Sequence, residues 1–235
     1  RRDYARPDDV DLGAVEEASG VSIPWPRTLR RRRYGLAVVA SLTVATVAVV
    51  HTAQVGLVPD DFAAFVRYKR FTTYDQHFKK YSKRFFGVGF DWHYFKAQAV
   101  AESNLREDAR SPAGAVGVMQ IMPRTFQEVQ RKNPAIRGSV DQPRWNIAAG
   151  IQYDRQQFVV WAGDRSLVER LKFTFGSYNA GRSSILRAQQ FALGEGLNAM
   201  LWDQVAGELP RVTGRRSQET VTYVARVLGI RQVLR

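Results

Sequence analysis

Four consecutive arginines, Arg30 to Arg33, run straight into seventeen residues without a charge, YGLAVVASLTVATVAVV from Tyr34 to Val50. Weakly polar residues prolong the run past His51 and Gln54 to Val58. A helix rises about 1.5 Å per residue, so about 20 residues cross the hydrocarbon core of a bilayer. The run is long enough, and it divides the chain. It predicts a polar, basic tail at 1–33 in the cytoplasm and a transmembrane signal anchor at 34–58. The rest of the chain is then expected outside the cytoplasmic membrane, in the periplasm or extracytoplasmic space. A cleaved signal peptide fits less well, because its leading region would be too long and no small-x-small cleavage site follows. A buried core helix fits less well because four arginines stand at its edge.

Beyond the run, residues 59–86 are basic and aromatic, and predict a juxtamembrane helix leading into a domain at 87–235. That domain reads as all-α, since no stretch alternates with period two between turn residues. Asp91 can cap a helix carrying Trp92, Phe95 and Ala99 on one face. Pro123 suits the first turn of a helix through Arg131. Asn146 is expected to cap a helix from Ile147 to Trp161, ended by Gly163. Ser166 and Glu169 form a capping-box pattern. Further helices are expected near 183–193, 198–206 and 217–229.

Thirty-five Lys and Arg against 22 Asp and Glu give a net charge of +13, which favours anionic partners. No P-loop, zinc finger or RNP aromatic set accompanies the charge, so nucleic acid is not an expected partner. There is no cysteine, and the three histidines lack metal-ligand spacing. No disulfide, metal or other cofactor is expected.

The segment AVAESNLREDARSPAGAVGVMQIMPRTF, residues 99–126, carries the chemistry. Glu102 sits near the C-terminal end of an apolar helical run. The negative end of the helix dipole and the apolar neighbours Ala99, Val100 and Leu105 both disfavour its charge. That predicts a carboxyl protonated near neutral pH, the state that can protonate a leaving oxygen. Gly114 and Gly117 allow positive φ and a close backbone approach to a ligand. Ser111 offers a hydroxyl, Gln120 an amide and Met119 a flexible apolar wall. Further on, Tyr178 and Asn179 stand at a helix end that Gly181 can terminate. Phe173 and Phe175, at helical spacing, are expected in the core.

The Glu102-Ser103 pair, GVMQIMP at 117–123, SYNAG at 177–181 and ETVTYV at 219–224 resemble, in order and spacing, the motifs of the family 1 (SLT) lytic transglycosylases. The lead-in at Phe78–Tyr81 and Phe90–Trp92 is most similar to that family's membrane-bound F type. Ser177 stands where the family commonly has Ala. The resemblance covers about residues 75–230 and implies a lysozyme-like fold with a groove for peptidoglycan strands. It implies cleavage of the β-1,4 bond between N-acetylmuramic acid and N-acetylglucosamine, leaving a 1,6-anhydromuramoyl end. Glu102 would be the catalytic acid and then the base, while Ser103, Ser111, Gly117, Met119, Gln120, Tyr178, Asn179 and Tyr223 would line the cleft. Ordinary glycosidases use two carboxylates. Here Glu107 and Asp108 read as a solvated loop, and Asp141 and Asp154 have no supporting motif. A hydrolytic muramidase of goose-lysozyme type and a non-catalytic glycan-binding module of an envelope machine or phage remain alternatives.

Overall fold

The computed structural model describes residues 59–235, which pack into one unit around a helical core. The expected tail at 1–33 and anchor at 34–58 lie outside the described residues. Among the described residues, no helix is long and apolar enough to cross a membrane.

Among the described residues, ten α-helices follow one another. They are α1 (Pro59–Arg70), α2 (Asp75–Phe86), α3 (His93–Ser103), α4 (Pro123–Lys132), α5 (Pro143–Val160), α6 (Leu167–Ala180), α7 (Arg182–Gly194), α8 (Trp202–Gly207), α9 (Pro210–Thr213) and α10 (Ser217–Leu234). The stretch 59–86, expected as one leading helix, is two. The chain turns at 71–74, where Asp75 N–H bonds the Thr72 carbonyl. Both pieces belong to the core: Phe65, Tyr68, Phe78 and Tyr81 are buried in it. The turn is pinned from inside by Lys96, buried on α3, which donates to the Phe71 carbonyl and pairs with Asp75, each at 2.8 Å.

α3 lies along α10, and α5 is packed between α2, α4 and α6. Phe173 and Phe175 are fully buried, as expected. Asp91, expected as the cap, lies one residue ahead of the N-cap Trp92 and accepts from the His93 N–H at 3.0 Å. Ser166 caps α6 by accepting from the Glu169 N–H at 3.2 Å. The reciprocal half of that capping box is absent: Glu169 instead pairs with Lys172 and accepts from the Trp202 N–H. One expectation is overturned by proline. Pro143 occupies the first turn of α5, the position its fixed φ favours, so the helix starts three residues before Asn146. Asn146 is therefore inside the helix and buried.

Candidate active site

α3 delivers Glu102 to an elbow. Asn104 (φ 56°) and Leu105 (φ 62°) both take left-handed conformations immediately after the helix. Asn tolerates this conformation; for Leu it costs about 1–2 kcal/mol. Complete packing of Leu105 in the core, and a 2.8 Å bond from the Tyr68 hydroxyl to Asn104 Oδ1, hold the elbow in place.

Glu102 itself is half-buried, and its Oε1 accepts from the Tyr223 hydroxyl of α10 at 2.6 Å. Burial pushes the carboxyl up. The Tyr223 bond opposes this and the charge of Glu219 reinforces it, leaving the group at about 7. The acid is thus poised between its protonated and ionised forms near neutral pH.

The loop between α3 and α4 is folded on itself by bridges between Arg110 and Val116 and between Val116 and Ile121. Asn146 clamps it to α5. Its Oδ1 accepts from the Met119 N–H at 2.7 Å, and its Nδ2 donates to the carbonyls of Val116 and Val140, both at 2.9 Å. Gly117 (φ 78°) leaves room for that clamp: a Cβ there would lie 2.7 Å from Asn146 Nδ2. One turn along α5, Gly150 makes room for Met119, whose side-chain carbons would lie 2.9 Å from a Cβ. Asn146 was missed as a site residue. Its signal is an Asn and a Gly four residues apart on one helix face.

The geometry changes the part assigned to several residues. Met119, expected to wall the cleft, has a fully buried side chain; its backbone takes part instead, the N–H bonded to Asn146 and the carbonyl accepting from the Tyr178 hydroxyl at 2.6 Å. Ser103 is buried too. Its hydroxyl donates to the Val118 carbonyl at 2.8 Å and accepts from the Arg106 N–H, joining loop to helix. Gln120 spends both amide N–H groups on the carbonyls of Ala109 and Gly117, at 3.1 and 2.9 Å, which leaves its side-chain oxygen for a ligand. Ser111 accepts from the Ala115 N–H at 3.0 Å within the same loop. In each case the backbone groups of a tight loop had to be satisfied first.

Tyr178 is half-buried and meets Tyr153 edge to face, ring centroids 5.4 Å apart. Asn179 Oδ1 accepts from Thr220 Oγ1 at 2.8 Å, joining α6 to α10. Ser177 is fully buried and accepts the Trp161 indole N–H at 2.8 Å, so the departure from the common Ala brings its own partner. Glu107 and Asp108 are exposed, and Asp141 pairs with Arg110 at the surface. A concavity of about 500 Å³ lined by Lys79, Lys83, Asp91, Trp92 and Arg231 lies at the other end of α3.

A single poised acid on an all-helical, lysozyme-like scaffold defines the class. Residues 79–195 match the family model described as the transglycosylase SLT domain. It is 28% identical over 165 residues to the membrane-bound lytic murein transglycosylase F of Shewanella pealeana, covering 69% of this chain and 32% of that protein. It is 30% identical over 161 residues to the protein of the same name from Desulfosudis oleivorans, covering 63% and 34%. The chain spans about a third of the length of these relatives. Among solved structures, it is similar to an inactive mutant of the lytic transglycosylase Slt from Pseudomonas aeruginosa, with TM-score 0.55, 25% identity and coverage of 69% of this chain and 24% of that one. It is also similar to the 70 kDa soluble lytic transglycosylase of Escherichia coli, with TM-score 0.56, 26% identity and coverage of 70% and 24%.

Proposed function

We propose that this protein is a peptidoglycan lytic transglycosylase in which Glu102 serves first as acid and then as base. The observation that carries the reading is the half-buried Glu102 carboxyl, held at about 7 against the Tyr223 hydroxyl. A group poised near the working pH is able both to give and to take a proton. Protonated Glu102 donates to the glycosidic oxygen as the bond from C1 of N-acetylmuramic acid breaks. The neighbouring 2-acetamido group shields the oxocarbenium-like centre. Glu102, now a carboxylate, takes the proton of the C6 hydroxyl as that oxygen closes on C1. The products are a free sugar end and a 1,6-anhydro ring, and no water is consumed. Asp154 is fully buried, so neither sugar nor water reaches it as a second carboxylate. Tyr178, with its ring against Tyr153 and its hydroxyl on the loop, flanks the reacting sugar; Gln120 and Ser111 contribute from the loop rim. Residues 34–58 anchor the chain in the cytoplasmic membrane, with the domain facing the wall.

Mass spectrometry of muropeptides released from purified sacculi tests the reading. Products one water lighter than reducing-end muropeptides are expected. Reducing ends would establish hydrolysis instead, and no release would leave a glycan-binding module.

A further inference from the structure

Beneath Glu102, α3 and α5 hold a carboxyl that the proposed reaction does not use. Asp154 on α5 is fully buried, as is Gln98 on α3, one helical turn before Glu102. Gln98 Nε2 donates to Asp154 Oδ1 at 3.2 Å. Two buried oxygens of the same pair then have no partner: Asp154 Oδ2 and Gln98 Oε1. With the carboxyl ionised, both would be acceptors facing no donor, and the charge would be buried without a counter-ion. Such groups are costly and rare. A single proton on Oδ2 resolves both. A hydroxyl there would supply the donor that Gln98 Oε1 lacks, and with the bond from Gln98 Nε2 it would pair a carboxylic acid with a primary amide.

We propose that Asp154 is un-ionised at neutral pH and paired reciprocally with Gln98, and that this pair is the strut that fixes α3 on α5 one turn below Glu102. The surroundings agree. Burial pushes the Asp154 carboxyl well above its ordinary range; the bond from Gln98 opposes this, and the like charge of Glu102 reinforces it. Tyr178 of α6, Tyr223 of α10 and the adjacent Tyr153 also feel the Asp154 charge. α2 and α4, which pack on α5, bury Phe78, Tyr81, Ser82, Phe126 and Val129. A neutral Asp154 places no second buried charge near Glu102. The proton and the strut do not depend on the transglycosylase reading; only their consequence for turnover rests on it.

Asp154→Asn preserves both hydrogen bonds as an amide pair, and Asp154→Leu removes them. Infrared difference spectra of the full chain at pH 7, wild type minus Asp154→Asn, should show the carbonyl stretch of one un-ionised acid. From pH 5 to 7, the wild-type folding constant should fall about tenfold per pH unit relative to Asp154→Asn, because only the unfolded wild type ionises this group. kcat should fall about tenfold in Asp154→Leu, with KM little changed, and recover in Asp154→Asn. A missing band, parallel stability curves or an unfolded Asp154→Asn would overturn the neutral acid. An unchanged kcat in Asp154→Leu would overturn the strut. If the wild type itself released no muropeptide, the functional reading would fail while the band and the stability curves still decided the proton.

Discussion

α3 and α10 run antiparallel, and each end of the pair sets a carboxylate against a side chain of α10. At one end Glu102 meets the Tyr223 hydroxyl; at the other Asp91 meets Arg231, whose Nε donates to Oδ2 at 2.9 Å while His93 Nδ1 lies 2.6 Å from Oδ1. Burial pushes both acids the same way. At Asp91 the bonds from His93 and Arg231 outweigh it and hold the carboxyl below its ordinary value, whereas Glu102 ends at about 7. A neutral donor leaves an acid able to exchange its proton, and a guanidinium fixes it as an anion. His93 and Glu102 are nine residues apart on one helix, about 13 Å by the helical rise. Over that distance the same scaffold builds a proton-transfer group and a permanent ion pair, and the partner's charge makes the difference.

The largest effect separating the ends should come from Glu102→Gln. Release of muropeptides from sacculi should fall by about 10² to 10⁴, the usual worth of a general acid. Stability should move the other way. The folded group at about 7 lies above its ordinary 4.5, so the stability it contributes is full below 4.5 and is lost as pH rises toward 7. By pH 8 the variant should exceed the wild type by about 2–3 kcal/mol, the half-buried group having lost that much to ionisation. Urea unfolding at pH 4 and pH 8 measures it; a variant no more stable at pH 8 than at pH 4, relative to wild type, would contradict the raised acid.

Arg231→Met attacks the other end and comes next in size. It strands a partly buried carboxylate and should cost about 1.5–3 kcal/mol at pH 7. The depressed Asp91 group contributes its stability above its unfolded value, and that contribution disappears as pH falls through the folded one. The deficit of the variant should therefore close in acid, the opposite of Glu102→Gln. Its pH–rate profile should keep the wild-type limbs, because Glu102 retains Tyr223. A shifted limb would show that the two ends are electrostatically one site.

The contrast between the ends was half visible in the residues themselves. Glu102 at the end of an apolar run announced its raised acid, because desolvation by apolar neighbours is a local effect that sequence exposes. Its partner was less visible, since the sequence separation of 121 from Glu102 to Tyr223 is bridged by the packing of α10 on α3. The same holds for Arg231, 140 residues from Asp91. The order of the helices was legible from Pro123, Ser166 and Gly181, which act on neighbouring peptide groups. Asn146 misled because its preference for a cap was overridden by Pro143 three residues earlier and by three backbone groups of a distant loop. Met119 and Ser103 misled for a related reason: a motif marks which residues are needed, but not whether they touch a ligand or hold the loop that does.

Tyr223→Phe is the finest of these tests, because it changes the partner and leaves the acid. The hydroxyl lowers the Glu102 carboxyl by stabilising its anion, so removing it should send the group above about 7. A lost hydrogen bond to a charged oxygen is worth about 1.5 kcal/mol, or about one pH unit. The limb of the pH–rate profile at which the acid form disappears should move up by that amount, measured as kcat/KM for muropeptide release. Activity at the optimum should fall severalfold rather than by orders of magnitude, since the acid still donates while its ionised form, needed for the second proton transfer, is less favoured. Should the limb move down instead, burial would not be what opposes the Glu102 charge. Should it stay in place while Arg231→Met moves it, the roles of the two α10 partners would be reversed.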